Sequence, residues 1–308
     1  MLLWASSLDV YKRQVGPRDG FQSVRCAAPI ASELKLEVID KLIAAGVKHM
    51  EYTSFVSPKA IPQLADAQTV TEAVMKKYPG LDLFALVPNL RGAQNAYELG
   101  LRKVCYVVSL SKSHNKANIN RTHEQSLEAY QEIRAAYPDL EVVVDLATTF
   151  GCPFEGKYND SQAVVNFLKD YADAGMTTCC LCDTIGIADP AQVKSVIGEL
   201  KASYPNLQLQ VHFHDTRGLG MVNTMAAIES GVTEVQSALG GLGGCPFAPG
   251  ASGNLSTEDM VWMLNEMGFK TGVSFSKVLE AAKFQAIHIP GNYSGHHIHI
   301  EQESPCKF

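Results

Sequence analysis

The chain is expected to fold as an α/β protein, a closed (β/α)8 TIM barrel with a C-terminal helical cap, and three observations lead there. Short apolar runs rich in Val, Leu and Cys alternate with stretches of helical periodicity. Runs of that kind form parallel strands covered by helices. They number eight, the count that closes a barrel of about 250 residues. Nearly every run also ends in polar residues: Arg18 and Asp19, Glu51 and Ser54, Asn89, Ser109 and Ser111, Asp145, Asp183, then His212 and His214. A barrel gathers those ends at its C-terminal mouth, where active sites of this architecture sit.

In chain order, a first strand is expected over about 8–16, but Lys12, Arg13 and Gln14 interrupt its apolar pattern. Residues 1–14 therefore read as a foreign or mis-joined leader, set apart from a barrel domain with its cap over 15–290. Helical patterning at 31–45 precedes a strand at 49–55, and 61–77 precedes 81–87. A short helix near 91–99 leads to a strand at 103–110, with a loop over 109–120, and 122–136 leads to 140–148. The series then runs through helix 161–174 and strand 176–182, helix 190–203 and strand 207–214, and helix 220–230 and strand 234–239. The remaining residues supply the cap, and 291–308, with His296, His297, His299 and Cys306, reads as a mobile tail.

The 308 residues are 46% apolar and 19% charged, enough to bury a sizeable core. A net charge of −6 provides no basic footprint for a nucleic acid backbone. No apolar run approaches the roughly 20 residues of a membrane span, and the opening is too short and polar for a secretory signal. A cytoplasmic location is expected, with the eight cysteines mostly reduced. Cys179 and Cys182 form a C-x-x-C, but on a strand they face opposite sides, which argues against a zinc knuckle or redox pair.

The chemistry centres on Val211-His212-Phe213-His214-Asp215. On a strand the two imidazoles share one face and can share one metal ion. Asp19 is the best carboxylate to join them, because strands seven and one come close when the barrel shuts. Asn254, beyond the glycine-rich stretch 240–250, can add an amide oxygen. Imidazole nitrogen with hard oxygen donors suits Mg²⁺ or Mn²⁺ better than structural zinc. Arg18 is a fixed cation for a developing enolate, or else an ordinary rim ion pair. Cys245, among five glycines, is either a proton donor on a lid or an inert packed thiol. Glu51 either orients Arg18 or a ligand, or makes a rim ion pair.

Five stretches, Val15-Gly16-Pro17-Arg18-Asp19-Gly20-Phe21-Gln22, residues 53–59, Asp183-Thr184-Ile185-Gly186, residues 212–216, and 241 through Glu258-Asp259, resemble the motifs of the hydroxymethylglutaryl-CoA lyases. The resemblance runs from Val15 to about residue 285. It implies a retro-Claisen cleavage of 3-hydroxy-3-methylglutaryl-CoA to acetyl-CoA and acetoacetate. Matched residue by residue, Asp19, His212, His214 and Asn254 would hold the divalent cation, with Asp19 or His212 as base. Arg18 would steady the enolate and Cys245 would be the acid that quenches it. Gln22, Glu51 and Asp183 would shape the site, and Ser54, Ser111 and Cys180 would line the acyl-CoA substrate. A homo-oligomer, dimer or tetramer, is also implied.

Departures from that pattern bear on the acyl group. Gln14 stands where Glu is usual, Cys180 where a serine is common, and Arg217 where Tyr is frequent. Cleavage of citramalyl-CoA or a related 3-hydroxy-3-methylacyl-CoA is the nearest alternative. A Claisen-type synthase would carry Glu at Gln22 and an added C-terminal region. An amidohydrolase would place its His pair on the first strand. A non-enzymatic acyl-CoA-binding module would be indifferent to loss of His212 or Cys245.

Overall fold

The structure, a computed structural model, describes residues 10–244 and 253–300. Eight parallel strands close into a barrel: β1 (Tyr11–Gln14), β2 (His49–Ser54), β3 (Asp82–Leu86), β4 (Lys103–Ser109), β5 (Glu141–Ala147), β8 (Thr178–Asp183), β9 (Gln208–Phe213) and β10 (Glu234–Ser237). The small antiparallel hairpin β6 (Gly151–Cys152) and β7 (Gly156–Lys157) sits after β5. Each barrel strand pairs with its sequence neighbour in the barrel, and β1 closes the ring against β10 with Arg13 opposite Gln236 and Gln14 opposite Ser237.

The helices follow their caps. Thr122 and Gln125 form a reciprocal capping box at the start of α5 (His123–Ala136). Asp160 and Asp189 accept amide hydrogens at the starts of α6 (Ser161–Asp173) and α7 (Pro190–Ser203), the latter with Pro at its first position. The other barrel helices are α1 (Ser32–Ala44), α2 (Ala67–Lys77), α3 (Leu90–Glu98), α4 (Lys112–Ile119) and α8 (Gly220–Glu229). The cap consists of α9 (Thr257–Glu266) and α10 (Phe275–His288), and α10 packs against α1. The main core lies between strands and helices, where Val38, Ile39 and Leu42 of α1 and Val193, Ile197 and Leu200 of α7 are buried. A small separate cluster, Phe84, Cys105, Val143 and Cys180, fills the barrel interior.

Three expectations need correction. Tyr11–Gln14, grouped with the leader, forms β1, and Arg13 and Gln14 are buried. Polar side chains interrupted the apolar pattern there because each finds a buried partner from far along the chain: Gln14 Nε2 donates to Thr257 Oγ1 at the start of α9 at 3.0 Å, and Arg13 pairs with Glu234 of β10. The 109–120 loop contains α4, whose N-terminus is capped by the Ser111 side chain accepting from His114 N. Residues 291–300, grouped with a mobile tail, are tied to α9 and the 240–242 turn. Asp259 accepts the backbone N–H groups of His296 and His297 at 2.7 and 3.1 Å, and Gly295 N–H donates to the Gly240 carbonyl at 2.9 Å.

Candidate active site

Each side chain of the cluster at the mouth is placed by backbone geometry. Asp19 rides on a tight turn over Gly16–Gly20, where its N–H donates to the Val15 carbonyl at 2.7 Å. His212 projects inward from β9, and His214 stands one residue beyond that strand. The segment after the glycine-rich stretch then zips onto the strand end. Asp215 N–H donates to Gly253 O at 3.0 Å, Leu255 N–H to Phe213 O at 3.3 Å, and His214 faces Asn254 in an antiparallel bridge. The base of the intervening loop is pinched, since a Cβ on Gly253 would lie 2.2 Å from the Gly243 carbonyl carbon. Only glycine permits that approach.

The result joins three distant stretches of chain. One ligand-capable atom from each of Asp19, His212 and His214 lies within 4.8 Å of the others. Asn254 Nδ2 donates to Asp19 Oδ2 at 2.9 Å and to the Leu242 carbonyl at 3.0 Å. Arg18 is 7% exposed and Glu51 fully buried. The guanidinium grips Glu51 through Nε at 2.6 Å and Nη2 at 2.8 Å, and reaches Asp19 Oδ1 through Nη1 at 2.7 Å. Gln22 Nε2 donates to the same Asp19 oxygen at 2.7 Å.

Electrostatics follow from this packing. Burial opposes the Asp19 charge, yet the Arg18 cation, the imidazoles and the Asn254 amide hold its carboxyl at about 2. Burial likewise works against Arg18, but Glu51 and Asp19 outweigh it and raise its pKa. For His212, burial and the neighbouring His214 push the imidazole down to about 4, so it is neutral near pH 7. Its Nδ1 lies 3.0 Å from Gln236 Oε1, which orients the ring and leaves Nε2 for a ligand.

A divalent cation fits these residues. A carboxylate with imidazole nitrogens is the donor set that hard to borderline cations take. Two buried polar atoms at the cluster, Asn254 Oδ1 and His214 Nδ1, have no hydrogen-bond partner. Such orphans are costly unless something binds them. Glu51 with Cys105 and Asp145 forms a second buried group of possible donors deeper in the barrel.

The other expected residues are distributed as follows. Asp183 ends β8 and accepts the N–H groups of Ile187 and Ala188 at 2.9 and 3.0 Å, with burial pushing its carboxyl up. It shapes the turn at Gly186, whose φ is +61° and where a Cβ would meet the His214 carbonyl at 2.8 Å. Ser54 Oγ is buried and unpartnered at the end of β2. Ser111 is engaged in capping α4 and in hydrogen bonds to Glu155 and Cys152. Cys180 faces the barrel interior beside Cys105. Cys245 and Cys306 lie outside the described residues. Gln236 was not anticipated; the signal was an amide inside the last barrel strand, Glu234–Ser237.

Comparisons with known proteins agree with this geometry. The family model described as HMGL-like matches residues 10–284. The hydroxymethylglutaryl-CoA lyase of Bacillus subtilis strain 168 is 42% identical over 274 residues, covering 88% of this chain and 90% of that protein. The mitochondrial hydroxymethylglutaryl-CoA lyase of Homo sapiens is 38% identical over 273 residues, covering 88% and 83%. Among solved structures, the Bacillus subtilis HMG-CoA lyase superposes with a TM-score of 0.88 at 40% identity, covering 94% of this chain and 97% of that one. An HMG-CoA lyase from Acinetobacter baumannii, in complex with coenzyme A and 3-methylmalate, superposes with a TM-score of 0.89 at 36% identity, covering 99% and 98%. With that extent of match in sequence and fold, this chain belongs to the HMGL-like family, among the hydroxymethylglutaryl-CoA lyases.

Proposed function

We propose that this protein cleaves 3-hydroxy-3-methylglutaryl-CoA to acetyl-CoA and acetoacetate, with Mg²⁺ or Mn²⁺ held by Asp19, His212, His214 and Asn254. The observation that carries the reading is the meeting of Asp19, His212 and His214 beside the Arg18–Glu51 pair in a chain of this family. When bound, the cation supplies Lewis-acid polarisation of substrate oxygen.

The chain's own groups do the rest. A proton leaves the tertiary hydroxyl for a base at the cluster, the Asp19 carboxylate or the His212 imidazole. The bond between C2 and C3 then breaks, its electron pair passing to the thioester enolate while the former hydroxyl carbon becomes the ketone of acetoacetate. Arg18 is the cation placed to steady the enolate, and its grip by Glu51 means it need not reorganise as charge develops. Asp19 is held between Arg18, Gln22 and Asn254, which fixes the angle of its carboxylate. Asp183 keeps the β8 turn against His214. Cys245 is the acid we assign to protonate the enolate carbon.

The test is acetyl-CoA release by the purified chain with Mg²⁺ or Mn²⁺, offered hydroxymethylglutaryl-CoA and citramalyl-CoA in parallel. Turnover of the first supports the proposal; turnover of citramalyl-CoA alone replaces the acyl group and keeps the reaction type. We also place the enzyme in the cytoplasm as a homo-oligomer. In support of the first point, no described helix is long and apolar enough to cross a membrane, and Cys26, Cys105, Cys152, Cys179, Cys180 and Cys182 are free thiols.

A further inference from the structure

Below the Arg18 clamp, the barrel interior carries a second set of ionisable groups. Atoms of Glu51 on β2, Cys105 on β4 and Asp145 on β5 lie within 4.8 Å of one another, and all three residues are buried. Cys105 Sγ donates to Glu51 Oε1 at 2.9 Å. Asp145 Oδ1 is buried without a hydrogen-bond partner. The other titratable groups around Asp145 are Arg18 from the turn after β1, Arg13 on β1, and Cys179, Cys180 and Cys182 on β8. Arg13 is committed to Glu234 and Asp82.

A metal ion does not suit this second set. Both Glu51 oxygens are already taken by the guanidinium, and the thiols around it are protonated, held high by burial. The charge count points elsewhere. Arg18 already faces two carboxylates, Glu51 and Asp19. A third ionised carboxylate within 4.8 Å of Glu51 would leave excess negative charge in a dry interior.

We propose that Glu51 and Asp145 share one negative charge, with the proton on Asp145, and that Asp145 is thereby a positioning residue for Arg18. As a neutral acid, Asp145 leaves Glu51 to hold the guanidinium up against Asp19 at the mouth. Once ionised, it competes for Arg18 and draws the cation down the barrel, away from where the enolate forms. Burial and the Glu51 carboxylate both favour the protonated form, against the pull of Arg18. For its kinetic arm the inference rests on the lyase reading; its spectroscopic arm does not.

The experiment uses the full chain loaded with Mg²⁺, labelled with ¹³C at the aspartate carboxyl. Infrared difference spectra of wild type against Asp145→Asn should show a protonated-aspartate C=O band at about pH 6 that vanishes as pH rises. In Glu51→Gln, where the repelling carboxylate is gone, the band should vanish at least about one pH unit lower. That second variant keeps the test decisive should Asp145→Asn not fold. In steady-state assays, wild-type kcat should fall about tenfold per pH unit above the titration of Asp145, with KM less affected, and Asp145→Asn should lack that fall. No aspartic acid band in wild type, or a band that Glu51→Gln leaves unmoved, overturns the shared proton. An unchanged fall of kcat in Asp145→Asn overturns the positioning role. Absence of cleavage by wild type removes the lyase reading while the infrared result still decides the proton.

Discussion

Replacing Arg18 with Met tests the clamp on which the site is built. In the wild type, Glu51 is fully buried and receives two charge-assisted bonds from Arg18 at 2.6 and 2.8 Å. Met removes both and leaves Glu51 with only the weak Cys105 thiol donor at 2.9 Å. Breaking one side of a buried pair costs about 3–5 kcal/mol, because the remaining charge keeps its desolvation penalty. Urea unfolding of wild type and variant measures the loss. The double variant Arg18→Met with Glu51→Leu removes both charges and should recover most of the stability, giving a coupling of several kcal/mol in the cycle. Catalysis should not recover: kcat should fall about 10²–10³-fold in both, the size expected from losing one preorganised stabiliser of a developing oxyanion. A cost under about 1 kcal/mol for Arg18→Met, as for an exposed pair, or a double variant that is simply additive, would refute the clamp.

Three further outcomes follow from the same structure. Burial pushes the Glu258 carboxyl up to about 7, so the folded state holds its proton and loses stability as pH rises from about 4.5 through 7. Glu258→Gln keeps an oxygen for the Gly240 N–H and should exceed wild type in unfolding free energy above pH 7, by up to about 3 kcal/mol, with the gap closing below pH 5; a pH-independent gap would contradict this. Gly186→Ala forces a Cβ to 2.7 Å from Thr216 Cβ and 2.8 Å from the His214 carbonyl at φ +61°, so it should displace His214 and weaken Mn²⁺ binding about tenfold or more, measured by electron paramagnetic resonance titration. Asn254→Ala removes the orphan oxygen and both amide donations; it should weaken Mn²⁺ more than about tenfold and cost about 1–3 kcal/mol of stability, and Asn254→Asp should restore much of the metal affinity.

Much of the barrel is legible in the sequence because its signals are local. Asp189 followed by Pro190, Thr122 with Gln125, and the apolar runs at 103–109 and 141–147 each declare an element through chemistry within a few residues. Strand alternation alone puts His212 and His214 on one face. Two of the three misreadings share one cause. Arg13 and Gln14 look wrong for a strand, and His296 and His297 look like a mobile terminus, until Glu234, Thr257 and Asp259 are brought beside them from far along the chain.

The sequence by itself therefore determined the alternation of strands and helices that closes the barrel, and it singled out Asp19, His212 and His214, which the structure brings together. Only the tertiary structure decided that the Asn254 amide bonds Asp19, that Gln236 orients His212, and that Glu51 and Asp145 crowd a single guanidinium. Periodicity and capping act over a turn or a strand and can be read in order. Hydrogen bonding, burial and charge sharing depend on which distant side chains the closing barrel leaves within a few ångströms.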